Sequence, residues 1–178
     1  MLSAGGGAES SSITRIKSGW RKFRELLPIL TGRGRSLKAK GILYTACVRS
    51  VMMYGSETWA LKEEDIRRTS STDMQMVRWM CQVTLRKKKL SELLRDRLGI
   101  TKVLDMLLQK RLRWYGHVER MDKENPVKRC RSMEVSGVRG KGRPCKIWNQ
   151  LVNDDLRRLG LRSSYLAQDQ KAWDRAIR

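Results

Sequence analysis

ITRIKSGWRKFRELLPIL, Ile13 to Leu30, sets Ile13, Ile16, Trp20, Phe23, Leu27 and Leu30 in alternating steps of three and four residues. A helix turning about 100° per residue gathers that spacing on one stripe, whereas a half-buried strand needs strict alternation. Ser11 or Ser12 stands where an N-cap belongs, and Pro28 weakens the last turn because it has no amide proton to give. Upstream, residues 1–12 are rich in Gly and Ser and lack an apolar period, which predicts a flexible lead-in. Downstream, Thr31 to Ser36 (TGRGRS) reads as a basic turn, after which Leu37, Gly41, Tyr44, Val48 and Val51 resume the helical spacing. An antiparallel helix pair is the expected result.

The same period runs through the rest of the chain. After Tyr54 to Trp59 (YGSETW) breaks the pattern, Glu63 to about Thr84 reads as a third helix with Ile66, Val77, Met80 and Val83 inward. Its first turn holds Glu63, Glu64 and Asp65, where the helix dipole favours negative charge. The cation run Arg86 to Lys89 reads as a linker. Leu90 to Leu98 is then a helix stopped by Gly99, and Thr101 is placed to cap the next. Residues 122–142 hold little apolar periodicity and read as an irregular connection. Pro144 suits a first helical position, with Trp148, Leu151, Val152, Leu156 and Leu159 following up to Gly160. Ser163 or Ser164 should cap a last helix using Leu166, Trp173 and Ile177. The fold class expected is all-α, with two small helical lobes at 13–87 and 88–178 and no solenoid repeat.

Charge narrows the function. The 178 residues carry 39 Lys and Arg against 18 Asp and Glu, a net +21 that repels itself unless a polyanion neutralises it. Nucleic acid, as RNA, DNA or hybrid duplex, is the expected partner. No apolar run reaches the roughly 18 residues needed to span a membrane and no secretory segment is visible, so an intracellular site, nuclear or cytoplasmic, is expected. Cys47, Cys81, Cys130 and Cys145 lie far apart without a CxxC pair, which points to reduced thiols rather than a disulfide framework or a metal site. Phosphate loops, HExxH and GxSxG are all absent, and the single histidine has no partner at triad spacing, so neither enzyme chemistry nor a cofactor is expected. Asp154 and Asp155 are neighbours that point about 100° apart on a helix and read as solvated or capping carboxylates rather than a metal pair.

Two segments carry the candidate site. On a helix through Arg111 to Met121 (RLRWYGHVERM), Lys110, Arg113, His117 and Arg120 fall within roughly 80° of one another. Leu104, Leu107, Leu108, Tyr115 and Val118 occupy another arc, and Trp114 lies on the border, able to pack inward while offering a face to a base. Val138 to Lys146 (VRGKGRPCK) resembles the AT-hook through its Gly-Arg-Pro core, with Lys141 where that family carries arginine. Glycines let such a backbone approach the minor-groove floor, where negative potential concentrates on arginine, which makes Arg139, Lys141 and Arg143 candidate contacts.

Leu43 to Leu61 (LYTACVRSVMMYGSETWAL), Arg111 to Met121, and Gly140 to Leu161 (GKGRPCKIWNQLVNDDLRRLGL), taken in order, resemble the C-terminal third of non-LTR (LINE-type) retrotransposon reverse transcriptases. MLSAGGG and the helix to Leu30 resemble the segment just after the polymerase palm. The resemblance implies a thumb-like bundle at 13–87, a basic C-terminal region at 88–178, and Met1 as an internal methionine of a longer ancestral frame. It implies a parent enzyme that performs RNA-directed DNA synthesis at a nicked target, and the palm of that parent as a further partner. The Tyr-x-Asp-Asp box that holds the polymerase metals is missing here, so the expected function is non-catalytic nucleic-acid binding. A genomic relic without selected function, and a basic scaffold for acidic proteins, are the alternatives.

Overall fold

A computed structural model describes residues 7–84, 90–133, 147–161 and 166–177. Every regular element among these residues is helical, as expected. The chain forms two compact units, one from Met1–Gly55 and Glu63–Met106 and the other from Ser56–Lys62 and Leu107–Arg178. That division departs from a boundary between residues 87 and 88. Leu94 and Leu98 of α6 (Ser91–Leu98) are fully buried and give the first unit an apolar stripe that a linker-centred division would deny it. Ser56–Lys62 joins the second unit, where the Trp148 indole N–H donates to the Glu57 carbonyl at 2.7 Å.

In the first unit, α1 (Gly7–Glu25) begins well before its expected cap. Residues 7–12 are therefore helical rather than a flexible lead-in. Ser12 is buried in the helix and donates its hydroxyl to Asp65 Oδ1 at 2.9 Å, a tertiary role that replaces the capping one. The helix breaks before Pro28, which sits in the first turn of α2 (Leu27–Thr31). The second helical run follows as α3 (Leu37–Leu43), a π turn (Tyr44–Arg49) and α4 (Ser50–Met52). It lies antiparallel to α1, since Arg15 sits over the Tyr54 ring at 4.7 Å while Phe23 meets Tyr44 edge-on at 6.3 Å. The extra residue of the π turn rotates everything after it by about 100°. Met52 and Met53 consequently enter the core and Val51 is only half-buried.

The π turn also aims Arg49 inward. Its Nε and Nη2 donate to Asp73 Oδ1 and Oδ2, both at 2.7 Å, and the Tyr44 hydroxyl donates to Oδ1 at 2.8 Å. Burial first, and the Asp73 charge second, push the Tyr44 pKa well above its ordinary value. Asp73 lies on α5 (Glu63–Met80), which ends before Thr84. The buried stripe of α5 opens with Asp65, Thr69, Thr72 and Asp73 and turns apolar only at Met76, Val77 and Met80. Ile66 and Val83, expected inward, are half-buried. α6 stops at Gly99, whose left-handed φ of 66° admits glycine at little cost.

α7 (Val103–Arg120) starts two residues beyond Thr101, and its residues up to Met106 belong to the first unit; from Leu107 on it belongs to the second, where it supplies Leu108, Leu112 and Tyr115 to a core completed by Val152, Ala167, Trp173 and Ile177. The Trp173 ring is fully buried against Gly116, where a β-carbon would overlap the indole nitrogen and sit 2.6 Å from Cδ1. Its N–H donates to the Leu112 carbonyl at 3.0 Å. Within the stretch expected to be irregular at 122–142, α8 (Pro126–Ser132) forms instead, because Asn125 Oδ1 accepts the Val127 amide at 3.0 Å and Pro126 suits the first position. Lys128 of α8 donates to the carbonyls of Glu119 and Met121 at 2.8 and 2.9 Å, satisfying orphan acceptors at the end of α7. α9 (Trp148–Arg158) starts four residues after Pro144, and α10 (Gln170–Ala176) is capped by Asp169, which accepts from Lys171 and Ala172. Arg86 to Lys89, Pro144, Ser163 and Ser164 lie outside the described residues.

Candidate functional site

α7 separates its faces much as its spacing requires. Leu107, Leu108, Tyr115 and Val118 are buried, Leu104 is half-buried, and Arg113 and His117 are exposed. Lys110, Arg113, Trp114, His117 and Arg120 all line one open cleft of about 420 Å³ in the second unit. Five candidate residues therefore share one surface. The remaining three, Arg139, Lys141 and Arg143, lie outside the described residues.

These side chains are not equivalent. Arg120 Nη1 donates to the Ala167 carbonyl at 2.8 Å, which fixes its position on the wall. Arg113 has no ion pair or hydrogen bond among the described residues, so its guanidinium faces the cleft uncommitted. Trp114 is half-buried and tilts against the His117 ring at 5.4 Å, presenting a flat aromatic edge beside the cations. Arg111, two residues before Arg113, faces the other way. It is 3% exposed and its Nε donates to Asp155 Oδ2 at 2.6 Å. Asp155 is thus a buried ion-pair partner and not a solvated carboxylate, because the α9 stripe that carries Val152 inward carries residue 155 inward with it.

Glu57, Gln170 and Asp174 also line the cleft. The sequence offers one weak signal for two of them: Gln170 and Asp174 are four apart and flank Trp173, so fixing Trp173 in the core puts both on a neighbouring face. Glu57 carries none, since the turn Ser56–Thr58 reaches the second unit only through the fold. The two carboxylates offset part of the cationic charge, so the cleft offers acceptors as well as donors.

At the C-terminal end of α7, Arg131 pairs with Glu119 and lies 4.7 Å above the Tyr115 ring. Burial, and then the Glu119 charge, raise the Tyr115 pKa. Cys47, Cys81 and Cys130 are not in disulfide bonds. No group of three or more His, Cys, Asp or Glu among the described residues is placed to hold a metal ion. None of the helices among these residues is long and apolar enough to cross a membrane. No protein-family model, curated protein or solved structure matches the chain.

Proposed function

We propose that the chain is a non-catalytic nucleic-acid-binding fragment of a non-LTR retrotransposon reverse transcriptase. The observation that carries the binding reading is the convergence of Lys110, Arg113, Trp114, His117 and Arg120 on one cleft of a chain with net charge +21. Cations position a phosphate backbone, and an aromatic ring beside them adds a stacking surface for bases. The parentage rests on the three ordered sequence blocks. Its thumb-like and post-thumb segments lack the palm aspartates, so template copying is not part of the proposal.

Salt dependence tests this reading. If about five to nine phosphates are neutralised, affinity for a duplex should fall with added salt at a log–log slope of roughly −4 to −8. A slope near zero removes the phosphate mechanism. A second reading, a relic whose helices have lost their partner, draws on Trp79 at 48% and Met133 at 66% exposure. It predicts salt-insensitive self-association in place of saturable binding.

A further inference from the structure

We infer that a second pocket beside the cleft takes one unpaired nucleobase, so that single-stranded nucleic acid is the preferred ligand; this deepens the nucleic-acid reading above and rests on it. The pocket has a volume of about 210 Å³, and its walls include Trp114, Val118, Val127, Cys130, Arg131 and Trp148. Trp114 lines both spaces. A ligand that fills both therefore needs a flat apolar group joined closely to an anion. A nucleotide has that form, with a base for the tryptophan-lined pocket and a phosphate for the Lys110 and Arg113 side.

The walls are set before any ligand arrives. Trp148 has its indole N–H tied to the Glu57 carbonyl at 2.7 Å, so its ring is held in place with its donor satisfied. The Trp114 indole N–H has no hydrogen bond among the described residues and remains available to a base edge. Arg131 is held by Glu119 and the Tyr115 ring, which keeps a planar cation at the pocket margin. Val127 and Cys130 are exposed although they line an apolar wall. A lipid chain or an apolar peptide side chain would fill the pocket without using the neighbouring cations. A duplex would have to unstack a base to offer one, whereas a single strand offers its bases freely.

The test uses the full chain at low salt, with labelled oligo(dA) of about 12 nucleotides and an abasic tetrahydrofuran-phosphate strand of equal length and charge. Base insertion predicts that oligo(dA) binds about tenfold more tightly than the abasic strand. Cys130→Trp, which fills the pocket from an exposed position, should remove the preference for oligo(dA) over the abasic strand. Without any mutation, alkylation of Cys130 mapped by mass spectrometry should slow when oligo(dA) is present and not with the abasic strand, with Cys47 and Cys81 as internal references. Equal affinity for the two strands, or unchanged preference in a folded Cys130→Trp, overturns the pocket inference while leaving phosphate-driven binding intact. Failure of both strands to bind overturns the two readings together.

Discussion

Replacing Arg111 by alanine should strongly destabilise the second unit, whereas replacing Arg113 should leave its stability intact and weaken nucleic-acid binding. The two arginines are separated by one residue on α7, yet they do opposite work. Arg111 and Asp155 have side chains only 4% and 9% exposed, with the Nε to Oδ2 contact at 2.6 Å. Truncating Arg111 strands a buried carboxylate, a loss of about 3–5 kcal/mol. Small domains hold roughly 5–15 kcal/mol in total, so this takes a large share of what is available. Arg113 is exposed and unpartnered among the described residues, and its removal should change stability by no more than about 0.5 kcal/mol. It should instead lower the salt slope of binding by about one, the signature of a lost phosphate contact. Urea titration followed by near-ultraviolet circular dichroism reads the core, because Trp173 is fully buried there. Asp155→Ala should reproduce the Arg111 loss, and the double replacement Arg111→Met with Asp155→Leu should recover much of it, since an apolar pair of similar volume strands no charge. A normal urea midpoint for Arg111→Ala, or an equal loss in Arg113→Ala, would refute the assignment of the two side chains.

Gly116→Ala should destabilise the second unit by about 1–3 kcal/mol, because overpacking against Trp173 and a weakened Trp173 to Leu112 hydrogen bond outweigh the gain of about 1 kcal/mol in helix propensity; a stabilised variant in chemical denaturation would contradict the close approach. Tyr44 and Tyr115 have folded-state pKa values raised above their unfolded ones, so the folded protein keeps those protons longer. The associated stability is complete below about pH 10 and is lost as pH rises beyond it. Tyrosinate absorbance from Tyr44 should therefore appear only with alkaline unfolding, and that of Tyr115 should lag behind free tyrosine; reversible ionisation of Tyr44 near pH 10 with structure intact would sink the argument. Arg143→Ala should abolish any preference for A·T over G·C duplex while sparing most electrostatic affinity, and equal binding of the two duplexes by the unmutated chain rejects the minor-groove role.

Helix existence was legible wherever apolar residues kept their period, as from Ile13 to Leu30 and along Arg111 to Met121. Both follow from burial of a stripe, which is local information, although in the first stripe only Phe23 and Leu30 are fully buried and Ile13 is exposed. The features that escaped are set by partners far away in sequence. Nothing near Tyr44 announces a π turn, and the contact it sets up is not local, since Arg49 to Asp73 spans 24 residues. Asp155 looked like a surface acid because its partner Arg111 lies 44 residues upstream. The polar half of the α5 stripe was hidden for a related reason: Asp65, Thr69, Thr72 and Asp73 keep helical spacing but carry no apolar signal. α8 is a different case. Its Asn125-Pro126 start is a recognisable capping signal, but its seven residues include no buried side chain, so periodicity had nothing to register.

Among the described residues each unit buries an arginine against an aspartate, and the setting of the first explains why such a costly pair can persist. A buried ion pair is a weak source of net stability, yet a mispaired buried charge is heavily penalised, so the pair selects among packings. The first core is rich in side chains that select poorly. Met52, Met53, Met76 and Met80 are all buried there, and methionine adapts to irregular gaps without specifying one arrangement. Bidentate geometry between Arg49 and Asp73, with the Tyr44 hydroxyl on the same oxygen, supplies the registry that methionine does not. A helix shifted by one residue would break all three contacts and leave charge in an apolar core. Commitment of arginines inside the units also limits how much of the chain's positive charge faces a ligand. Arg49 and Arg111 are committed inside their units, Arg120 is tied to a backbone carbonyl, and Arg131 is shared between Glu119 and Tyr115. The net charge draws a polyanion toward the molecule as a whole, but at the cleft Arg113 is the arginine left with nothing else to hold among the described residues.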